Sequence, residues 1–137
     1  MKKKSKLKKA IIIFGITFLA VVAVLTYFAG TIEYMLLPRV SVANIESGQI
    51  SGEPVTEQGV CLVPNMSVVE SDGIAYIFIL YPREDNTAYI EEVNVQVRDR
   101  NNMYCEIKLD PTFTSYSVVY ETSRDLVNGD KVVVEAN

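Results

Sequence analysis

From Ala10 to Ile32 the chain runs for 23 residues without a charged side chain. At about 1.5 Å rise per residue, a helix of roughly 20 apolar residues crosses the ~30 Å hydrocarbon core of a bilayer. The β-branched residues of the run, Ile11, Ile12, Ile13, Val21, Val22 and Val24, do not oppose a helix in lipid, where the backbone must satisfy its own hydrogen bonds. Lys2, Lys3, Lys4, Lys6, Lys8 and Lys9 precede it. Positive charge beside an apolar span marks the cytoplasmic side. The expected layout is a cytoplasmic basic tail at 1–9, a transmembrane helix at 10–32 and an extracytoplasmic domain at 38–137. That describes a single-pass protein of the cell membrane, with the lipid bilayer as its first partner. Tyr27 and Tyr34 fall near the outer interface, where amphipathic rings settle.

A cleaved signal peptide is the competing reading. Such peptides usually carry an apolar region of about 7–15 residues and a small-x-small cleavage site. Here the run is longer, and Tyr27-Phe28-Ala29 puts a bulky ring where a small residue is needed. No cysteine follows the run closely, which excludes a bacterial lipoprotein anchor.

The net charge of -4 hides an asymmetry. All seventeen acidic residues follow the apolar run, against seven of the thirteen basic ones, so that part carries -10. An acidic domain repels nucleic acid, and no nucleic-acid partner is expected.

Pro38 stops helical continuation, and beyond it the pattern has period two. Val40 and Val42 begin a strand. Gly59 to Val63 is a short apolar run closed by Pro64. Ile74 to Tyr81 is continuously apolar and reads as a strand buried on both faces. Val93, Val95 and Val97 alternate with Asn94, Gln96 and Arg98. Cys105, Ile107 and Leu109 alternate with Tyr104, Glu106 and Lys108. Ser117–Thr122 and 131–135 complete the set. Turn signals separate the runs: Asp72-Gly73, 82–86, 99–102 and Asn128-Gly129-Asp130. Asp72-Gly73 and Asn128-Gly129 are favoured two-residue hairpin turns. Short strands at this spacing predict an all-β domain, a small barrel or sandwich, behind a single N-terminal transmembrane helix.

The chain has no histidine, which removes the commonest general base and metal ligand along with Ser-His-Asp and Cys-His systems. Adjacent Glu91 and Glu92 point to opposite faces of a strand and cannot act as an acid/base pair. Gly73 and Gly129 are isolated, so no glycine-rich loop cradles a phosphate. The run Asp99-Arg100-Asn101-Asn102 lacks the glycine and distal glutamate of a calcium loop. Asn65-Met66-Ser67 matches a glycosylation sequon by a short pattern that chance supplies often. A non-enzymatic domain without cofactor or metal is expected. Cys61 and Cys105 either form a disulfide across an exported domain or lie as two buried thiols on neighbouring strands. The second reading is favoured, since sequence alone places neither within bridging distance.

Three blocks from Leu62 onward resemble the membrane-proximal part of the haemolysin-D-like membrane-fusion proteins, the periplasmic adaptors of bacterial export pumps. Leu62-Val63-Pro64-Asn65-Met66-Ser67-Val68-Val69 is similar to the family's strand entry, with Ser67 where alanine is frequent. Asp72-Gly73-Ile74-Ala75-Tyr76-Ile77-Phe78-Ile79 is similar to its D-G-x-x-Y-V-x-V hairpin. Asp125-Leu126-Val127-Asn128-Gly129-Asp130-Lys131-Val132-Val133-Val134 is similar to its closing G-L-x-x-G-D-x-V-V, with Asp125 in place of the first glycine. Ile45-Glu46-Ser47-Gly48-Gln49-Ile50 resembles the segment after the family's anchor. The lipoyl-like, helical-hairpin and separate barrel domains have no room here.

The resemblance implies a domain built from both chain ends, with the strand after the anchor joining the C-terminal strands. It implies an accessory, adaptor-like subunit that binds an inner-membrane pump such as an ABC transporter permease. Homo-oligomers follow from the ring-forming habit of the family. A stand-alone envelope protein that binds a peptide, glycan or sensor is the alternative, and an exposed apolar cleft would mark it. Candidate contact segments are 48–58, 82–88 and 99–103.

Overall fold

The computed structural model describes residues 2–50, 52 and 58–135, which separate into two compact units at Leu36/Leu37. The first is one helix, α1, Lys2–Leu36, of 35 residues. It extends past the expected 10–32 on both sides because lysines favour helix and nothing interrupts it before Pro38. Within it, 31 residues from Lys6 to Leu36 are long and apolar enough to cross a membrane, a test that signal sequences also pass. Two of its threonine hydroxyls are satisfied locally. Thr17 Oγ1 donates to the Ile13 carbonyl at 2.9 Å and Thr26 Oγ1 to the Val22 carbonyl at 2.8 Å. Both bonds reach back one turn, so these two hydroxyls need no water. Leu37, restricted by the proline after it, leads out of the helix.

The second unit is a strand-rich sheet. Its strands are β1 Arg39–Asn44, β2 Val60–Pro64, β3 Val69–Ser71, β4 Ile74–Pro82, β5 Thr87–Arg100, β6 Tyr104–Lys108, β7 Ser117–Thr122 and β8 Lys131–Val134. The order across the sheet is β2-β6-β5-β8-β1-β7-β4-β3, and β4 also pairs with β5. The pairings β5–β8–β1–β7–β4 therefore return to β5. β1 and β8 are parallel, with Val40 opposite Val134, and the other pairs are antiparallel.

β4 explains the two-part core. Its alternate residues Phe78 and Leu80 join Val40, Ala88, Ile90, Val119 and Val132 in one buried cluster. Ile77 and Ile79 face the other way, onto Cys61, Val63, Cys105, Ile107, Leu109 and Val118. The middle of the apolar run, Ile77–Leu80, is thus buried on both faces as the sequence predicts, while Ile74 at its start is exposed. The β2–β6 pair covers the second cluster, and Val93, Val95 and Val97 of β5 pack against it. β5 reaches β6 through a bulge between Val97 and Asp99.

Two turns contrast. Asp72 and Gly73 have φ of 53° and 79° and connect Ser71 to its partner Ile74, the paired positive φ of a primed hairpin turn. Asn128-Gly129 is not the expected hairpin. β1 lies between β7 and β8, so the turn cannot join neighbours. Gly129 alone carries a positive φ, 87°, and the Asp130 amide donates to the Val127 carbonyl at 3.0 Å, as in a type II turn. The loop instead fastens onto β5: Asn128 Oδ1 accepts from the Glu92 amide, and the Gly129 amide donates to the Ile90 carbonyl.

Candidate functional site

β4 uses one edge throughout for β5. On its other edge it pairs with β3 at Ile74–Tyr76 and with β7 at Ile79 and Leu80. β3 and β7 therefore share that edge, and the sheet splits between them at Ile77 and Phe78. The short 3-10 turn Asn65–Ser67 packs against β7 there. The split forms a groove of about 240 Å³. Its floor is Phe78 and Val119, and its walls are Tyr76, Val69, Met66 and Leu126. Phe78 edges onto Tyr76, with ring centroids 5.6 Å apart. Two of its apolar walls stand in solvent: Met66 is 71% exposed and Val69 38%.

Polar groups mark the rim. Glu121 and Asp125 line the groove, and among the described residues no basic side chain does. Ser67 also lines it and is 2% exposed, yet its hydroxyl has no hydrogen-bond partner among the described residues. Buried hydroxyls are usually satisfied. The groove is smaller than the roughly 300–1,000 Å³ of small-molecule pockets and suits one or two apolar side chains.

The other predicted positions are placed as follows. Cys61 and Cys105 lie on adjacent strands and the same core face, both as free buried thiols. Cys61 stands opposite Ile107, and Cys105 opposite Val63. The offset of two residues makes them diagonal neighbours, and the disulfide alternative is not adopted. Burial pushes the Cys61 thiol up to about 11, far from a reactive thiolate. Pro64 closes β2 and starts the 3-10 turn. Lys6, Lys8 and Lys9 are exposed on α1, while the side chains of Lys2, Lys3 and Lys4 lie outside the description.

Two of the three contact segments are largely occupied with themselves. At 99–103, Asn101 Oδ1 accepts from the Met103 and Tyr104 amides, a self-capped polar turn. At 82–88, the Arg83 guanidinium sits 4.7 Å from the Tyr89 ring centroid, and Thr87 Oγ1 donates to the Glu84 carbonyl. Of 48–58, residues 51 and 53–57 lie outside the described residues. Its start is docked: the Ile50 amide donates to Glu106 Oε2 at 2.9 Å, and just before the segment Glu46 and Leu62 exchange backbone hydrogen bonds. Glu106, placed by alternation on the outer face of β6, is only 2% exposed because this segment covers it.

Asn65 Nδ2, the atom a glycan would occupy, donates to the Asn101 carbonyl at 3.1 Å. Tyr81 accepts the influence of Glu91: the carboxylate hydrogen-bonded to its phenol, helped by burial, pushes it up to about 12. Asp110 caps the second 3-10 turn, Pro111–Phe113, by accepting from the Thr112 hydroxyl and amide. These bonds hold its carboxyl below the ordinary range. Among the described residues no three Cys, Asp or Glu side chains gather as a metal site would need. The sequence reading does not find the groove, although Met66 and Val69 break the polar-out pattern and are its available signal.

No protein-family model, no curated protein and no solved structure matches the chain.

Proposed function

We propose that this protein is a membrane-anchored extracytoplasmic accessory subunit of a bacterial export system, acting by protein–protein binding on a pump such as an ABC exporter. The supporting observation is the place of β1. The strand that follows the apolar helix after only Leu37 and Pro38 is inserted between β7 and β8, the last strands of the chain. That is the both-ends construction implied by the resemblance to membrane-proximal adaptor domains. On this reading α1 is an uncleaved anchor with its lysines in the cytoplasm, and the circuit of pairings is a small barrel. Function follows from the fold by analogy, and the anchor contributes local concentration at the partner. No catalytic role is assigned.

The groove favours a second reading, an envelope protein that binds peptides on its own, because an exposed apolar cleft is what such a protein needs. Co-purification separates the two. The full-length protein is crosslinked gently in its native membrane, extracted in mild detergent and analysed by mass spectrometry. Stoichiometric recovery of a transporter permease supports the accessory subunit. Recovery of the protein alone, or with cell-wall components only, overturns it.

A further inference from the structure

We infer that the lysine-bearing end of α1 is a docking surface for anionic phospholipid headgroups, a collar of six cations that gathers phosphatidylglycerol-type phosphodiesters around the anchor. This rests on the reading of α1 as an uncleaved anchor and names the lipid class it would select.

The helix does not begin where the apolar run begins. α1 is continuous from Lys2, so Lys2, Lys3, Lys4, Lys6, Lys8 and Lys9 stand on the same helix as the candidate span. Lys2, Lys6 and Lys9 fall at i, i+4 and i+7 and share one face, and Lys4 and Lys8 share another. The rise from Lys2 to Lys9 is about 10 Å, enough to traverse a headgroup layer of about 5–8 Å. Lys6, Lys8 and Lys9 are exposed. Lysine stems lie along apolar surface while the ammonium groups reach polar surroundings, and Lys9 adjoins Ala10, the first residue of the run. That adjacency favours a lipid over a nucleic acid, which would need the lysines clear of the bilayer.

The charges of α1 run against its own stability. A helix favours anions near its N-terminus and cations near its C-terminus. α1 has no acid in its first turn and no base in its last, and Lys2, Lys3 and Lys4 occupy the first turn instead. The like-charged pairs Lys2/Lys6 and Lys4/Lys8 at i, i+4 add to the cost. The first acidic residue is Glu33, about 36 Å along the axis from Lys9, so no carboxylate of the helix neutralises the collar. An anionic bilayer surface supplies the missing counter-charge. Each basic residue held near such a surface strengthens binding by about fivefold.

The test uses the full-length protein in detergent micelles doped with equal amounts of phosphatidylglycerol and phosphatidylcholine. Gel filtration removes free micelles, and mass spectrometry counts the retained lipids. The wild type is expected to retain phosphatidylglycerol at least about tenfold over phosphatidylcholine at low salt. The ratio should fall towards one in about 0.5 M NaCl, where the screening length shrinks to about 4 Å. The variant Lys2→Gln/Lys3→Gln/Lys4→Gln/Lys6→Gln/Lys8→Gln/Lys9→Gln should lose the preference, and Lys→Arg at the same six positions should keep it. Inorganic phosphate at about 10 mM, with ionic strength held constant, should leave the lipid in place, since a free ion lacks the acyl chains that hold the headgroup beside the span. A wild-type ratio near one at low salt overturns the proposal. A preference that survives high salt, or that the glutamine variant shares, overturns the collar, and displacement by phosphate overturns the choice of lipid. The salt comparison is read on the wild type alone, so it stands even where the glutamine variant does not insert. The intact mass of the protein extracted from its native membrane tests the anchor separately. A chain that has lost α1 defeats the anchor and this proposal with it, whereas an intact chain with a ratio near one defeats only the lipid preference.

Discussion

Replacing Glu106 by alanine should loosen the domain at one definable place. The carboxylate is 2% exposed, accepts the Ile50 amide at 2.9 Å and lies 3.6 Å from Arg98 Nε. The β5 bulge between Val97 and Asp99 turns Arg98 toward it. A hydrogen bond to a charged acceptor contributes about 1.5–3 kcal/mol. The Arg98 side chain is 38% exposed and re-enters water when its partner is gone, so the ion pair adds less than about 1 kcal/mol. Glu106→Ala should therefore cost about 2–4 kcal/mol, a large share of the roughly 5–15 kcal/mol of a small domain. Glu106→Gln keeps an acceptor for Ile50 and should cost about 1 kcal/mol. Urea unfolding of the full-length protein in micelles, followed by tyrosine fluorescence in this tryptophan-free chain, measures both. Limited proteolysis in parallel should cut the alanine variant faster at residues 46–50. An alanine variant within about 0.5 kcal/mol of wild type, or a glutamine variant as damaged as alanine, refutes the view that this carboxylate pins the segment.

Two other expectations use the same unfolding assay. Gly59 has φ of +86°, and a Cβ there would drive into the Leu109 carbonyl oxygen, so Gly59→Ala should destabilise by about 3 kcal/mol or more. Gly129→Ala, at φ +87° but in open space, should cost only about 1 kcal/mol; equal losses at the two glycines would contradict the argument from crowding. The Cys61 thiol is raised from 9.0 to about 11 by burial, so its neutral form is favoured in the folded state. Its contribution is intact below pH 9 and is lost as pH rises from there through 11, by about 2–3 kcal/mol in all. Unfolding midpoints measured on either side of that window check the sign, and an alkylating reagent at mildly alkaline pH should label Cys61 only as the domain opens.

The strands were legible because their signal is local. Alternation at Val93, Val95 and Val97 and at Cys105, Ile107 and Leu109 assigns each residue to one face, and both sets pack on the same cluster. The continuous run in β4 likewise announced two buried faces. Glu106 was misread for the reason that alternation worked elsewhere: period two puts it opposite the core, and nothing local reveals that residues 46–50 fold back over it. Asn128-Gly129 failed similarly. The dipeptide specifies a turn, but whether the turn joins neighbouring strands depends on β1 inserting between β7 and β8 from the far end of the chain.

The groove depends on the same long-range event. β1 takes one edge of β7, the bulge between Ser41 and Val42 bends that pairing, and β4 keeps only Val118 and Ser117 on the other edge. The divergence that follows is a property of register. A sheet that merely needed burial would have closed β7 against β3 and hidden Tyr76 and Val69. Instead the 3-10 turn at Asn65–Ser67 packs against β7 at the split, with Ser67 buried in the groove and Met66 forming an exposed wall of it. This arrangement keeps the floor in the buried cluster but leaves the walls Met66 and Val69 in solvent, an exposure that packing alone does not explain.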